Sequence, residues 1–164
     1  MTSIKQITFY MTALSATVVY GGCATDEVGP PIEDTSEAAS PLDVDCEFGA
    51  NGFIDISDSR SGTVQRSASL GFGVTISVQS GTVSGLQRGW AKISGDTIVD
   101  DQIRMDWTID AGAHIKVLCG PFSVGGLSQS KTSAAKTTSS SSSWQFRACG
   151  RLAGVTPYTC TSWW

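Results

Sequence analysis

Residues 64–78 read Val-Gln-Arg-Ser-Ala-Ser-Leu-Gly-Phe-Gly-Val-Thr-Ile-Ser-Val. Val64, Ala68, Leu70, Phe72, Val74, Ile76 and Val78 alternate with Gln65, Ser67, Ser69, Gly71, Gly73, Thr75 and Ser77, and only Arg66 breaks the apolar set. Successive side chains of an extended chain point to opposite sides, so period two marks a strand with one face on a core. The stretch predicts one long strand, with Gly71 and Gly73 marking a bend or bulge in it.

The same rhythm returns downstream. Ile103, Met105, Trp107 and Ile109 alternate with Arg104, Asp106, Thr108 and Asp110, and Ala113, Ile115, Val117 and Cys119 form a third set. Asp110-Ala111-Gly112 between them reads as the turn of a hairpin. Shorter strand candidates are 52–57, 82–93, 122–127, 144–148 and 159–163. Beyond the N-terminal apolar stretch no segment has helical periodicity. Many short strands at this spacing predict an all-β fold, an antiparallel β-sandwich, with a small β-barrel as the alternative. Residues 128–143 hold Gln129, Lys131 and Lys136 among Ser, Thr and Ala. That composition predicts a flexible Ser/Thr-rich loop, available as a contact surface or O-glycan acceptor.

Composition agrees. Charged residues are 16% of the 164, below the ~25% usual for soluble domains, and small residues suited to turns are abundant. The charge is also divided. From Ala24 to Glu47 there are eight acids (Asp26, Glu27, Glu33, Asp34, Glu37, Asp43, Asp45, Glu47) and no base; from Phe48 onward seven acids face ten bases. A net +3 is too small to argue for nucleic acid, which calls for a clustered basic face. Residues 23–45, with Pro30, Pro31 and Pro41 among acids, read as a disordered tether. The domain is then 46–164.

Residues 1–22 have a weakly positive start at Lys5, an apolar run from Ile7 to Tyr20, and small residues before Cys23, the layout of an export signal. Tyr20-Gly21-Gly22-Cys23 resembles a bacterial lipobox, with Tyr20 where that pattern usually has an aliphatic residue. The resemblance implies a lipid on Cys23 and a membrane partner through it. Two other readings stand beside it: cleavage after Ala24 with soluble secretion, and an uncut anchor. With Cys23 set apart, Cys46, Cys119, Cys149 and Cys160 form an even set, which in an exported chain reads as two disulfides. The preferred pairing is Cys149–Cys160 with Cys46–Cys119. Cys119–Cys149 with Cys46–Cys160 rivals it, because a hairpin centred on the serine-rich segment would set Cys119 opposite Cys149. The close Arg147-Ala148-Cys149 … Cys160-Thr161-Ser162-Trp163 resembles the ends of small exported actinobacterial proteins of pattern R-x-C…C-x-x-W. That resemblance implies an exported, disulfide-closed β domain and no particular activity.

Catalytic patterns are sparse. His114 is the single histidine. Asp110, across the predicted turn, could orient it in a triad, but no Gly-x-Ser-x-Gly elbow is present and Ser123 and Ser128 lie in plain small-residue contexts. Asp106 and Asp110 share a strand face roughly 13 Å apart, too far for either glycosidase geometry. Asp96, Asp100 and Asp101 surround one loop that calcium could use, without EF-hand spacing. With no Cys-x-x-Cys and no phosphate loop, no cofactor is expected.

The aromatics are the stronger binding signal. Trp107 and Trp144 fall on apolar faces. Trp90 is flanked at strand spacing by Arg88 and Lys92, and Trp163 and Trp164 are consecutive, so both cannot point inward from a strand. An exposed Trp beside bases suits a sugar ring or a lipid interface. The sequence therefore reads as an exported envelope protein, a lipoprotein with a non-enzymatic structural or binding role. The alternatives are a soluble secreted carbohydrate- or protein-binding module using Arg88, Trp90, Trp163 and Trp164, and a hydrolase around His114 and Asp110.

Overall fold

The structure, a computed structural model, describes residues 46–164. The signal at 1–22, Cys23 and the acidic tether at 23–45 lie outside the described residues. Ten strands follow a short 3-10 stretch at Glu47–Gly52: β1 (Phe53–Ile54), β2 (Thr63–Gly71), β3 (Val74–Val83), β4 (Leu86–Gly95), β5 (Gln102–Thr108), β6 (Val117–Ser123), β7 (Lys131–Thr132), β8 (Ala135–Thr137), β9 (Gln145–Arg151) and β10 (Thr159–Cys160). They make two antiparallel sheets. The first runs β1-β8-β4-β3-β2 with β7 also on β4, and the second runs β10-β9-β5-β6. The chain is an all-β sandwich, and the sheets do not close into a barrel.

Alternation puts one side of each sheet into the core. Val74, Ile76, Val78, Ala91 and Ile93 of the first sheet meet Ile103, Met105, Trp107, Phe146 and Ala148 of the second. The disulfides are Cys46–Cys119 and Cys149–Cys160, the pairing preferred from the sequence. They mark a domain for an oxidising, extracytoplasmic compartment. Among the described residues no helix is long and apolar enough to cross a membrane.

At strand ends, 82–93 proves to be the end of β3, a turn at Ser84-Gly85 and β4, and β6 begins at Val117 rather than Ala113, leaving Ile109 and Ile115 exposed. Two larger expectations also need correction. Residues 64–78 are not one bent strand but a hairpin, β2 and β3, reversing at Gly71-Phe72-Gly73, where all three residues have positive φ. Ala68 pairs with Ile76 and Arg66 with Val78, after a register shift between Ser69 and Gly71. Residues of equal parity therefore sit opposite each other, so the two-residue rhythm passes through the turn unbroken and hides it. The tip carries Phe72 at 89% exposure.

The second correction concerns residues 128–143. The segment is not one loose loop; it contributes β7 and β8, and Thr132 to Lys136 are buried. β7 and β8 both pair with β4, broken at Ser133-Ala134. Across the break Ser133 Oγ accepts the Ala91 N–H at 3.0 Å, while Ser133 N–H donates to the Ala91 carbonyl. Small hydroxyl side chains can thus stay in a sheet by completing its ladder. Asp58 secures the same segment: Oδ1 accepts from Thr132 N–H and Oγ1, and Oδ2 pairs with Lys131 at 3.0 Å.

Residues 55–62 cross the outer side of the first sheet as a strap. Ile54 and Ile56 pack on Trp90, Val83 and Ala135. At Gly62 a Cβ would lie 2.6 Å from Trp90 Cη2 and 2.4 Å from the Ser80 carbonyl oxygen, so only glycine lets the strap close there.

Candidate functional site

The strap decides the fate of the sequence's leading binding candidate. Trp90 is 0% exposed and forms a small core of its own. Arg88 donates to the carbonyls of Gly52 and Ala135, and Lys92 to the carbonyl of Arg60 at 2.6 Å. Burial holds the Lys92 ammonium below its ordinary pKa, against the raising effect of Asp58. The Arg88-Trp90-Lys92 face is therefore structural and offers nothing to a ligand. Alternation along β4 was read correctly, but a local pattern does not say what lies over a sheet.

Trp163 and Trp164 diverge, as consecutive residues of an extended chain must. Trp164 exchanges two backbone hydrogen bonds of 2.9 Å with Phe146, extending the β9 edge. Its ring leans on Phe146 at 6.0 Å between centroids. Gly89 makes room, since a Cβ there would come within 3.1 Å of Trp164 and 3.2 Å of Phe146. Trp163 goes to the outer side of the second sheet, where Arg147 lies 4.6 Å over its ring.

Trp164, Phe146 and Trp144 floor a cleft of about 290 Å³ at one end of the sandwich, rimmed by Thr138, the four serines 139–142 and Gln145. The rim is held by its own short bonds. Ser141 N–H donates to Ser139 Oγ, Ser141 and Ser143 hydroxyls share a bond of 2.8 Å, and Gln145 Nε2 donates to the Ser142 carbonyl. No charged side chain lines the cleft. The volume is near the lower end for small-molecule sites.

Behind the floor lies a buried lysine. Lys136 Nζ lies 4.6, 5.4 and 5.5 Å from the ring centroids of Trp107, Trp144 and Phe53 and donates to the Asn51 carbonyl. Burial, with a smaller contribution from Arg88, holds its pKa below the ordinary value. Ring faces and one carbonyl, rather than a carboxylate, balance this charge. Trp144 thus joins the cleft floor to the lysine cage.

Two further clefts differ in chemistry. One of about 260 Å³ at Phe72, Ile98, Leu152 and Val155 is mainly apolar, and one of about 200 Å³ beside Asp58 and Lys131 is polar, with those two charges already paired.

The catalytic candidates are partly assembled. His114 Nδ1 and Asp110 Oδ2 are 2.8 Å apart. The Thr108 hydroxyl, the His114 N–H and the His114 ring hold the Asp110 carboxyl well below its usual range. The His114 side chain is 87% exposed, no serine hydroxyl bonds its ring, and none of the three clefts includes it. This pair closes the β5–β6 turn. Asp106 is 0% exposed and lies between Arg104 and Arg147. It also groups with Cys149 and Cys160, whose sulfurs are joined in the disulfide and so cannot act as thiolate ligands. Asp101, from the proposed calcium loop, is buried and accepts the N–H groups of Ile98 and Ala153.

Sequence reasoning missed Phe146, Gln145 and the serine rim as parts of one site. The available signal was the run Trp144-Gln145-Phe146, whose aromatics share a parity, next to a tract of hydroxyls. Comparisons with protein-family models, curated proteins and solved structures gave no match for this chain.

Proposed function

We propose that this is a non-enzymatic binding module of the bacterial envelope, exported and held by a lipid on Cys23, whose end cleft takes a neutral saccharide. The observation that carries the reading is the cleft itself: two partly exposed tryptophan rings, Trp144 and Trp164, backed by the buried Phe146 and set under a rim of hydroxyls and one amide, with no charged side chain in its lining. Aromatic faces pack against the C–H faces of a pyranose, while hydroxyls and amides exchange hydrogen bonds with its rim. The export signal, the acidic tether and the two disulfides support an envelope location.

Intact mass of the chain purified from its native host tests the anchor. A diacylglyceryl increment on a chain beginning at Cys23 is expected, and a bare chain beginning at Thr25 favours the soluble secreted module instead. Titration with neutral β-linked tetrasaccharides, followed by tryptophan fluorescence, tests the cleft. Saturable quenching that disappears in Trp164→Ala is expected. Quenching that survives in that variant moves the ligand elsewhere and sinks the cleft.

A further inference from the structure

The outer side of the second sheet carries a second, differently charged surface. Along β9 and β5 the outward residues pair as Arg151 with Gln102, Cys149 with Arg104, and Arg147 with Asp106. The backbone positions of the three arginines therefore stand in a zigzag, each displaced about 7 Å from the next along the strands and by one strand spacing across them, while Arg104 and Arg147 converge on Asp106 and Arg104 and Arg151 on Tyr158. The single carboxylate among them, Asp106, lies at the base, fully buried. Arg147 Nε donates to it at 2.7 Å. Arg104 Nε lies 3.1 Å from its other oxygen but off the hydrogen-bond direction, so it contributes charge rather than a bond. Arg151 Nε donates to Gln102 Oε1 at 2.9 Å.

In all three arginines the inner Nε faces the protein, and no hydrogen bond from a terminal nitrogen is found among the described residues. The rings beside them act as props. Arg104 and Arg151 lie 4.4 and 5.0 Å over Tyr158, whose hydroxyl is itself tied to Gln102, and Arg147 lies over Trp163. Arg147 and Arg151, each fixed by an Nε bond and one ring face, present their outer forks with little freedom left to lose, and Arg104 is held by its ring face and the Asp106 charge. That fork matches a carboxylate by two parallel N–H···O bonds.

We infer that this face binds an acidic polysaccharide, a chain of uronate-type sugars whose repeating carboxylates bridge Arg104, Arg147 and Arg151. Three forks spaced along two strands suit a polymer with regularly repeated anions better than one small ion. Nucleic acid fits less well: single strands are held by stacking on open aromatic faces, and here arginines lie over the rings. The surface is separate from the end cleft, since Trp163 and Trp164 point to different sides, and does not depend on the saccharide reading of that cleft.

The test uses the full chain and oligogalacturonate at low ionic strength, with the fully methyl-esterified oligomer and single-stranded DNA of equal charge as comparators. The acid form is expected to bind, to weaken as salt rises, and to bind more tightly than either comparator. Arg104→Gln with Arg151→Gln is expected to weaken it by about tenfold or more, with the fold retained, at a lowered melting temperature, because Arg147 still pairs with Asp106. Arg151→Gln alone, which leaves both Asp106 partners in place, is expected to weaken binding with the melting temperature little changed. Trp164→Ala is expected to leave it intact. Unaltered binding in the double variant, equal binding of the ester, or DNA bound as tightly as the uronate would each overturn the assignment.

Discussion

The outer sides of the two sheets carry the same kinds of residue with opposite outcomes. On the first, Arg88, Trp90 and Lys92 stand on one strand at i, i+2 and i+4, sealed by the strap of residues 55–62. On the second, Arg104, Arg147 and Arg151 stand on a face that is only partly covered: the Tyr158 and Trp163 rings lie against them, and the Arg104 and Arg147 side chains remain 23% and 26% exposed. In the covered region the cations bond to backbone carbonyls and their burial is stabilised by packing around Trp90. In the open region the inner nitrogens of Arg147 and Arg151 are hydrogen-bonded, that of Arg104 faces Asp106 without a bond, and no terminal nitrogen of the three has a hydrogen bond among the described residues. The presence of a basic, aromatic row therefore does not decide between structure and recognition. The cover does.

The largest expected difference lies between a disulfide in the core and one on the open face. Cys46–Cys119 spans 73 residues and ties the start of the described domain to β6, whereas Cys149–Cys160 spans 11 on the open face. Chain entropy predicts a loss of about 4.5 kcal/mol for the double Cys→Ala change in the first and about 3 kcal/mol in the second. Urea midpoints of the two variants measure the order, and a reversed order would show that loop length does not set the stabilisation here.

Trp90→Ala is expected to cost about 4 kcal/mol, as large-to-small changes in a closed core do. Trp163→Ala is expected to cost under about 1 kcal/mol, since it removes one half-exposed stacking contact. Equal losses by thermal or urea unfolding would break the distinction between covered and open faces.

Asp58 is the strap's ionic anchor. Burial alone would raise its pKa, but the Thr132 N–H, Lys131 and the Thr132 hydroxyl outweigh it and hold it below 3.8. Its folded pKa lies below its unfolded one, so its stabilisation is present above the unfolded value and is lost as pH falls through the folded value. Asp58→Ala is expected to cost about 2 kcal/mol at neutral pH, with the gap to wild type narrowing in acid. A constant gap from pH 6 to pH 2 would place the loss in packing rather than in the charge.

The smallest effect is expected from Lys92. Its folded pKa lies below 10.5, so between the folded value and 10.5 the unfolded chain binds more protons and stability rises with pH. Lys92→Met should flatten that rise in alkaline unfolding curves. Arg151→Gln, on the open face, should leave the alkaline slope unchanged.

Much of the sandwich could be read from residue order. β5 and the interior places of Ile103, Met105 and Trp107 follow from alternation, because it reports local backbone geometry, while the even cysteine count announced two disulfides without fixing their partners. The β2–β3 turn escaped because its register keeps equal-parity residues opposite each other. β7 and β8 escaped because alanine and lysine are poor strand formers and the tract has no apolar alternation; what holds β7 is the Asp58 carboxylate, 73 and 74 positions away in the chain from Lys131 and Thr132.

The candidate sites divide in the same way. Residue types announced that tryptophans and arginines would matter, and their period announced which side of a strand each would take. Only the tertiary arrangement buried Trp90 beneath Gly62, brought Trp164 over Gly89 to floor the cleft, and set arginines from β5 and β9 beside one another. Period is a property of the single chain, fixed by the geometry of one extended backbone. Exposure and convergence depend on which distant segment lies across a given face, and that is decided by packing between parts of the chain whose sequences carry no mark of one another.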